Sequence, residues 1–333
     1  MDKILVMGCG TWGSALAKSL SENNYNVSMW HYNEQKLIKL KTSRAHPNLL
    51  NFEFNKNIEF DFDLQSVLSK SNVIVLATPS KSIREIVSTI KPFLTENHIL
   101  VNTSKGLETN TFLTMSEVIS DVLGSEFNNI VSMYGPSHAE EVAANLPTAL
   151  VSSSREIVIA KKVQKIFSSK NIRVYTNSDI KGVELGGSLK NIIAIATGVC
   201  DGLGFGDNTK SALITRGIAE ITRLGIKMGA APSTFSGLSG IGDLIATCLS
   251  KHSRNRFVGE ELGSGKSLKN ILDSMDMVAE GVITAKSVHE LSIKYQVDMP
   301  ISNAVYQILF EKMNPKTIVL NLMSRDLIQE KNN

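Results

Sequence analysis

Two basic residues and one acidic residue stand where they could move a proton to or from a small substrate. Lys190 lies in an otherwise apolar or small segment, LGGSLKNIIAIA (185–196), where partial desolvation would lower the pKa of its amine toward a useful value. Lys105 follows a strand-like run that ends at Thr103, and it could polarise a carbonyl. Asp243, after the glycine-rich GLSGIGD (237–243), could orient Lys190 or bind a hydroxyl, with Thr247 as a weaker candidate. Each residue also has a purely structural interpretation: Lys190 could lie on a helix surface, Lys105 could be an ordinary loop cation, and Asp243 could cap a helix.

A second group of polar residues could bind a phosphate. Ser253, Arg254 and Asn255 place a guanidinium fork between two polar side chains, and arginine binds phosphate with two parallel hydrogen bonds. Because Lys251 and Arg256 are close in sequence, the alternative is a solvated basic face. The six histidines show no metal-ligand spacing, so we predict no metal site.

A glycine-rich turn near the N-terminus predicts dinucleotide binding. Gly8, Gly10 and Gly13 form G-x-G-x-x-G directly after a short apolar strand and at the start of a helix. The first glycine permits the turn, the second lets a pyrophosphate approach the backbone, and the third lets the helix pack against the strand. The alternative is a tight turn without a ligand.

The end of the second strand bears on which nicotinamide cofactor is used. NAD-selective sites usually place an acidic residue there to bind the ribose hydroxyls. This chain has Trp30-His31-Tyr32-Asn33, with Glu34 a little beyond. His31, neutral or cationic, would tolerate a 2′-phosphate, so we expect NADP to be accepted alongside NAD. The alternative is that His31 is only a polar residue at the end of the strand, with no role in cofactor binding.

The elements that would position these groups fall into two regions. Strand-like runs alternate with helical ones in the first half of the chain, which predicts an α/β fold: a Rossmann-type, doubly wound parallel sheet. The candidate strands are Lys3–Met7, Asn26–Trp30, Val73–Thr78, His98–Thr103, Asn129–Tyr134 and Ala149–Ser152. Beyond Ser178 only helical stretches with glycine-rich joints follow. We therefore predict a dinucleotide-binding domain over residues 1–180 and an all-helical C-terminal catalytic domain over residues 181–333.

Bulk composition narrows the class of protein. The 333 residues include 35 Lys and Arg and 32 Asp and Glu, which gives a net charge of +3. So small a net charge creates no strong electrostatic field that would attract nucleic acid or a membrane surface. Three isolated cysteines argue against a disulfide framework, and the opening MDKILVMGCG does not resemble a signal peptide. The apolar run Ile192–Cys200 is far short of the ~20 residues of a membrane helix. Together these features predict a cytoplasmic protein.

Several motifs occur together in an order that resembles one family over essentially the full length. The chain is similar to the bacterial NAD(P)-dependent glycerol-3-phosphate dehydrogenases. The segments that carry the resemblance are Gly8–Gly13, Asn102–Gly106, Gly135-Pro136-Ser137, Gly186–Asn191, Leu213–Gly217, Gly240–Leu244, Thr247-Cys248, Ser253-Arg254-Asn255 and Ala279-Glu280-Gly281. Ser233 and His138 depart from the family's usual residues, outside the presumed chemistry.

The resemblance implies reversible reduction of dihydroxyacetone phosphate to sn-glycerol 3-phosphate, the backbone of glycerophospholipids. It gives the proton-transfer role to Lys190 and adds cofactor contacts at Thr11, Trp12, Tyr32, Lys105, Ala139, Arg254, Val278 and Glu280. The substrate contacts that we expect are Lys105, Gly135, Ser137, Lys190, Asp243, Ser253, Arg254 and Asn255. Ser137 also begins a capping-box pattern, Ser137-His138-Ala139-Glu140.

Two other functions remain open at this point. A β-hydroxyacid or ketopantoate-type dehydrogenase would share the fold but bind a carboxylate, whereas the Ser253–Asn255 segment favours a phosphate ester. A non-catalytic dinucleotide sensor would need neither Lys190 nor Lys105. The sequence does not determine the oligomeric state, and it is compatible with a homodimer.

Overall fold

The contacts within the chain divide it into two compact units. The computed structural model describes residues 2–275, 279–327 and 329–330. The first unit comprises Met1–Lys105 and Leu113–Ile180, and the second comprises Gly106–Phe112 and Lys181–Asn333. The short segment Gly106–Phe112 thus groups with the second unit, which a single division after residue 180 does not anticipate.

The first unit is built on one eight-stranded sheet. Its strands are β1 (Lys3–Met7), β2 (Asn26–Trp30), β3 (Glu59–Phe60), β4 (Val73–Leu76), β5 (Ile99–Asn102), β6 (Ile130–Tyr134), β7 (Thr148–Ser153) and β8 (Ile172–Asn177). The strand order is β3-β2-β1-β4-β5-β6-β7-β8. All pairings are parallel except β6 with β7, where Tyr134 lies opposite Val151.

In the described part of this unit, seven α-helices accompany the sheet, whose central strands are buried on both faces. The helices are α1 (Thr11–Glu22), α2 (Glu34–Ser43), α3 (Leu64–Ser69), α4 (Ile83–Ile90), α5 (Met115–Leu123), α6 (Ala139–Ala143) and α7 (Ile157–Phe167). In β1, Ile4 and Val6 join one apolar cluster while Leu5 and Met7 join another. Successive side chains of a strand point to opposite faces, so a strand covered on both sides must be apolar throughout.

The predicted doubly wound α/β architecture is confirmed. Each of the six predicted strands is present, to within two residues at either end. The prediction missed β3, which has two residues, and β8. Arg173 and Tyr175 of β8 are exposed, because β8 lies at the edge of the sheet, so this strand alternates instead of forming an apolar run. The antiparallel β6–β7 pair was also not predicted.

The second unit consists of helices and loops in the part of the chain that the structure describes. After α8 (Ile180–Gly202) come α9 (Asp207–Lys227), α10 (Pro232–Phe235), a π-helical turn at Leu238–Gly242, α11 (Asp243–Leu249), α12 (Arg254–Gly263), α13 (Leu268–Asp273), α14 (Glu280–Tyr295), α15 (Pro300–Phe310) and α16 (Pro315–Met323). The helix α8 is long and apolar enough to cross a membrane. The run Ile192–Cys200 considered from the sequence is only a part of this helix and is by itself too short to span a bilayer. All of its apolar window is buried inside the protein, as in the core helix of a soluble domain.

Glycines let α8 and α12 approach until their backbones touch. A Cβ atom added at Gly259 would lie 2.0 Å from the carbonyl oxygen of Ile195, and one added at Gly198 would lie 2.0 Å from that of Arg256. The pattern repeats one turn later. A Cβ added at Gly202 would lie 2.1 Å from the carbonyl oxygen of Glu260, and one added at Gly263 would lie 2.4 Å from that of Val199. No larger residue fits such a helix pair without moving one backbone. The contact therefore fixes the start of α12 relative to α8, which carries Lys190.

Candidate active site

The glycine-rich turn between β1 and α1 has the geometry that a bound dinucleotide requires. Gly8 has φ +111°, and a Cβ there would lie 2.3 Å from the carbonyl oxygen of Ala77. A Cβ at Gly13 would lie 2.2 Å from the carbonyl oxygen of Gly8, so helix and strand pack as closely as the motif predicts. At Gly10 an added Cβ would meet no atom within 4 Å, which leaves this side of the turn open.

The start of α1 fits an anionic group. No side chain caps this helix at Gly10, and its first turn contains no acidic residue. The N–H groups and the dipole of a helix N-terminus favour a phosphate. In addition, the buried hydroxyls of Ser14 and Thr78 find no hydrogen-bond partner among residues 2–275, 279–327 and 329–330. Thr11 is buried and Trp12 is half-buried in the same turn. The residues present therefore fit a dinucleotide.

His31 and Tyr32 form a small aromatic stack beyond β2. Their ring centroids are 4.5 Å apart, and Tyr32 is largely exposed. The Nδ1 atom of His31 accepts the backbone N–H of Asn33 at 2.9 Å. Burial lowers the pKa of His31, and the nearby Lys36 ammonium lowers it further. His31 is therefore neutral at pH 7 and places no negative charge against a 2′-phosphate.

Lys105, Gly135 and Ser137 lie together in the first unit. The Lys105 ammonium donates to the carbonyl oxygen of Gly135 at 3.2 Å and lies 5.6 Å from the centre of the Tyr134 ring. The hydroxyl of Ser137 donates to the same carbonyl oxygen at 3.0 Å. Gly135 has φ +142°, and a Cβ there would lie 2.9 Å from the carbonyl oxygen of Ala149, so only glycine fits.

The capping box predicted at Ser137 is wrong. Helix α6 begins at Ala139, so its N-cap is His138, which makes no side-chain capping bond. The Ser137 hydroxyl is engaged with Gly135 instead, because the chain turns sharply at that glycine. Ala139, an expected cofactor contact, is the buried first residue of α6.

Lys190, Asp243 and Thr247 form a buried polar triad in the second unit. The Lys190 ammonium contacts the Oδ1 atom of Asp243 at 2.5 Å and donates to the Thr247 hydroxyl, which in turn donates to the Asp243 carbonyl at 2.7 Å. Lys190 and Asp243 are 5% and 2% exposed. The Asp243 carboxylate is thus a buried counter-charge to the Lys190 ammonium. Asp243 is the first residue of α11 and Lys190 lies within α8.

The three residues of the expected phosphate segment differ in their surroundings. The Ser253 hydroxyl caps α12 by accepting the N–H of Arg256 at 3.2 Å. The Oδ1 atom of Asn255 accepts the N–H of Gly281 at 2.9 Å, so its amide NH2 is the group that could donate to an anion. Arg254 is exposed in the first turn of α12, whereas the guanidinium of Arg256 is paired with Asp201 at 2.7 Å. Of the two arginines, Arg254 is the more exposed.

The remaining predicted residues are less informative. Glu280 is the half-buried first residue of α14. Val278 lies outside the described residues. Within the described ranges, no group of three or more His, Cys, Asp or Glu side chains could hold a metal ion.

The structure thus gathers the candidate residues into separate clusters within each unit. In the first unit these are the glycine turn and the Lys105–Gly135–Ser137 group; in the second they are the Lys190 triad and the start of α12. Sequence reasoning missed two residues near these clusters, and no motif marks either of them. The ring of Tyr134 lies below the Lys105 ammonium, and its hydroxyl donates to the Ser104 carbonyl. His46 contacts the glycine turn.

Each of the two units matches a known protein family. A family model described as NAD-dependent glycerol-3-phosphate dehydrogenase N-terminus matches residues 3–160, and one described as the C-terminus of the same enzyme matches residues 179–320. Together they span most of the chain.

Full-length relatives agree with this match. The chain is 47% identical to a glycerol-3-phosphate dehydrogenase [NAD(P)+] of Pelodictyon phaeoclathratiforme, over 98% of this chain and 99% of the relative. It is 48% identical to the enzyme of that name from Chlorobium chlorochromatii, over 97% and 98%. The solved glycerol-3-phosphate dehydrogenase of Coxiella burnetii aligns with a TM-score of 0.92 and 35% identity, over 97% of this chain and 99% of that one.

Proposed function

The chain belongs to the NAD-dependent glycerol-3-phosphate dehydrogenase family, and from that premise we propose how its residues divide the work of the reaction. It is an oxidoreductase that reversibly reduces dihydroxyacetone phosphate to sn-glycerol 3-phosphate with NADH or NADPH. The product supplies glycerophospholipid synthesis. When bound, the nicotinamide cofactor supplies the hydride in reduction and accepts it in oxidation. The buried Lys190–Asp243–Thr247 triad is the observation that supports the division of roles.

Lys190 is the proton donor in reduction and the acceptor in oxidation. The carbonyl oxygen of the ketone becomes an alkoxide as hydride arrives, and a positioned acid must protonate it. The Nζ atom of Lys190 contacts the Asp243 carboxylate and also donates to the Thr247 hydroxyl. Two fixed partners restrict the rotamers of a long side chain, so the ammonium is held in one orientation.

Arg254 and Asn255 bind the substrate phosphate. An exposed guanidinium and a carboxamide whose oxygen is already bonded present only N–H donors at the start of α12. The N-terminus of this ten-residue helix adds its own favourable field for a dianion. Ser253 contributes mainly by capping the helix and so placing both neighbours.

Lys105 polarises the carbonyl oxygen and contacts the cofactor. The carbonyl of Gly135 and the ring of Tyr134 hold its ammonium in place without neutralising its charge. The Gly8–Gly13 turn holds the pyrophosphate, and His31, Tyr32, Ala139 and Glu280 supply further contacts to the cofactor. Val278 is included in this set on the resemblance alone.

The test is an absorbance assay of NADPH and NADH oxidation on addition of dihydroxyacetone phosphate. The wild-type enzyme should use both cofactors, and it should use neither unphosphorylated dihydroxyacetone nor keto acids with comparable efficiency. K190M should lower kcat by about 10²–10⁴-fold, the range for a positioned acid, while NADPH still binds. K269M, which removes an exposed lysine of α13, is the matched control and should keep full activity.

Two results would contradict the proposal. Near-normal turnover by K190M would remove Lys190 from proton transfer. Equal use of phosphorylated and unphosphorylated ketone would show that Arg254 and Asn255 do not select a phosphate. Preference for a keto acid would instead support the β-hydroxyacid or ketopantoate-type alternative.

The proposal extends to location and assembly. The free, buried cysteines and the complete burial of the apolar window of α8 support a cytoplasmic enzyme. The sequence is compatible with a homodimer, and light scattering of the purified protein would measure the oligomeric state.

A further inference from the structure

A loop between α2 and β3 carries a buried histidine to the glycine-rich turn. The loop is internally braced: Ala45 and Glu53 form an antiparallel bridge, and the N–H of Phe54 donates to the carbonyl of Arg44 at 2.7 Å. His46 is 5% exposed, and the ring of Phe52 packs edge-on against it with centroids 6.5 Å apart. A buried ring in a braced loop has one orientation, so its contacts are specific.

The two ring nitrogens of His46 have different partners, which fixes the tautomer. Its Nδ1 atom accepts the backbone N–H of Asn48 at 3.2 Å, so the proton is on Nε2. The Nε2–H then donates to the carbonyl oxygen of Cys9 at 3.3 Å. Burial lowers the pKa of His46, the bond to the Cys9 carbonyl raises it, and the Lys36 ammonium lowers it again. The ring is therefore neutral at pH 7, as both hydrogen bonds require.

This contact sets the orientation of the peptide that joins Cys9 to Gly10. A trans peptide is planar, so its C=O and N–H point in opposite directions. A donor that holds the Cys9 carbonyl thus also directs the Gly10 N–H away from the imidazole. Gly10 is the middle glycine of the turn, where the backbone is open to an approaching ligand.

We propose that His46 is a positioning residue of the dinucleotide site, which holds the Cys9–Gly10 peptide so that the Gly10 N–H can donate to a pyrophosphate oxygen. The inference rests on the proposed function, since it assumes that this turn binds NAD(P)H. His46 touches neither cofactor nor substrate in this role. It acts by preventing rotation of a peptide that glycine neighbours would otherwise allow to move freely.

The same unit contains a matched control. The Nδ1 atom of His98 accepts the N–H of Thr95 at 2.9 Å, and its Nε2 atom lies 3.4 Å from the carbonyl of Leu68. His98 is 8% exposed, and it bonds to α3 instead of to the glycine turn. A substitution at His98 removes an equivalent buried bond without changing the Cys9–Gly10 peptide.

The experiment measures NADPH affinity by quenching of Trp fluorescence, without substrate, in H46N, H46Q and H98N. Asparagine can still accept from the Asn48 N–H but offers no donor at the Nε2 position, whereas glutamine places an N–H there. We expect H46N to bind NADPH about tenfold more weakly than the wild type, the loss of one buried hydrogen bond. H46Q and H98N should stay within about threefold, a difference smaller than such a bond. Thermal midpoints recorded in parallel separate lost affinity from lost stability.

Several outcomes overturn the inference while leaving the proposed function intact. Wild-type affinity in H46N would do so, as would an equal loss in H46N and H98N, or in H46N and H46Q. A ring ¹⁵N spectrum of the wild type covers the case in which H46N does not fold: a proton on Nδ1 of His46 refutes the bond to Cys9, and a proton on Nε2 supports it. By contrast, failure of the wild type to bind NADPH would contradict the proposed function itself.

Discussion

Replacing Asp243 by asparagine should leave the buried amine of Lys190 without its counter-charge. Lys190 and Asp243 are almost fully buried, with 2.5 Å between Nζ and Oδ1. Asparagine preserves the shape of the side chain but cannot neutralise the ammonium. Breaking one side of a buried pair costs about 3–5 kcal/mol of unfolding free energy, because the remaining charge is uncompensated.

This loss of unfolding free energy has an upper limit, because the D243N variant can instead fold with Lys190 in its neutral form. Deprotonating a lysine of ordinary pKa, about 10.4, costs about 1.4 kcal/mol for each pH unit below that value. At pH 7 the limit is about 5 kcal/mol, and at pH 9 it falls to about 2 kcal/mol. In D243N the folded state would bind fewer protons than the unfolded state across this interval, so the stability of the variant should rise with pH.

Urea unfolding followed by circular dichroism at pH 7 and pH 9 measures both quantities. We expect D243N to lose about 3–5 kcal/mol at pH 7 relative to the wild type, and markedly less at pH 9. Its turnover should fall as well, since the proton donor would lose both its charge state and its orientation.

The double variant K190M/D243N is the control. It removes both charges from the same volume, and a neutral replacement of a buried pair is often tolerated. It should therefore recover most of the stability that D243N loses while remaining inactive. A loss below about 1 kcal/mol in D243N at pH 7, or a loss that does not shrink at pH 9, would refute a charged Lys190 held by Asp243.

Two further predictions concern the second unit. Glu220 of α9 accepts the N–H groups of Ile301 and Ser302 at the start of α15, and burial raises its pKa from 4.5 to about 7 although these bonds oppose the shift. Its stabilising contribution is thus complete below about pH 4.5 and is lost as the pH rises to about 7, so the unfolding free energy of the wild type relative to E220Q should fall by about 3 kcal/mol between pH 4.5 and pH 8. G259A would place a Cβ 2.0 Å from a backbone oxygen of α8 and should cost about 2–3 kcal/mol in thermal unfolding, whereas G206A, where an added Cβ meets nothing within 4 Å, should cost little.

Each of these two predictions could be contradicted by experiment. A difference between the wild type and E220Q that does not change with pH would show that the pKa of Glu220 is the same in the folded and unfolded states. Equal melting temperatures for G259A and G206A would show that the α8–α12 contact is looser than the backbone distances indicate.

The sequence by itself determined the local features of this protein. The glycine spacing at Gly8–Gly13 specified a turn in which Gly8 and Gly13 leave no room for a side chain. The continuous apolar runs specified strands buried on both faces. Both features depend on residues within a few positions of one another. The position of Lys190 in an apolar segment was likewise visible as an anomaly. The edge strand β8 was missed because exposure on one side replaces its apolar run with alternation.

Tertiary structure decided which side chains act on which. Asp243 lies 53 residues from Lys190, and either helix capping or ion pairing was compatible with its place after a glycine-rich segment. Arg256, part of the basic face that was the alternative for this segment, is paired with Asp201, 55 residues away. His46, 37 residues from Cys9, follows no motif at all. Local spacing encodes backbone conformation, whereas these pairings arise only when packing brings distant segments together in a low-dielectric interior that requires each buried polar group to find a partner.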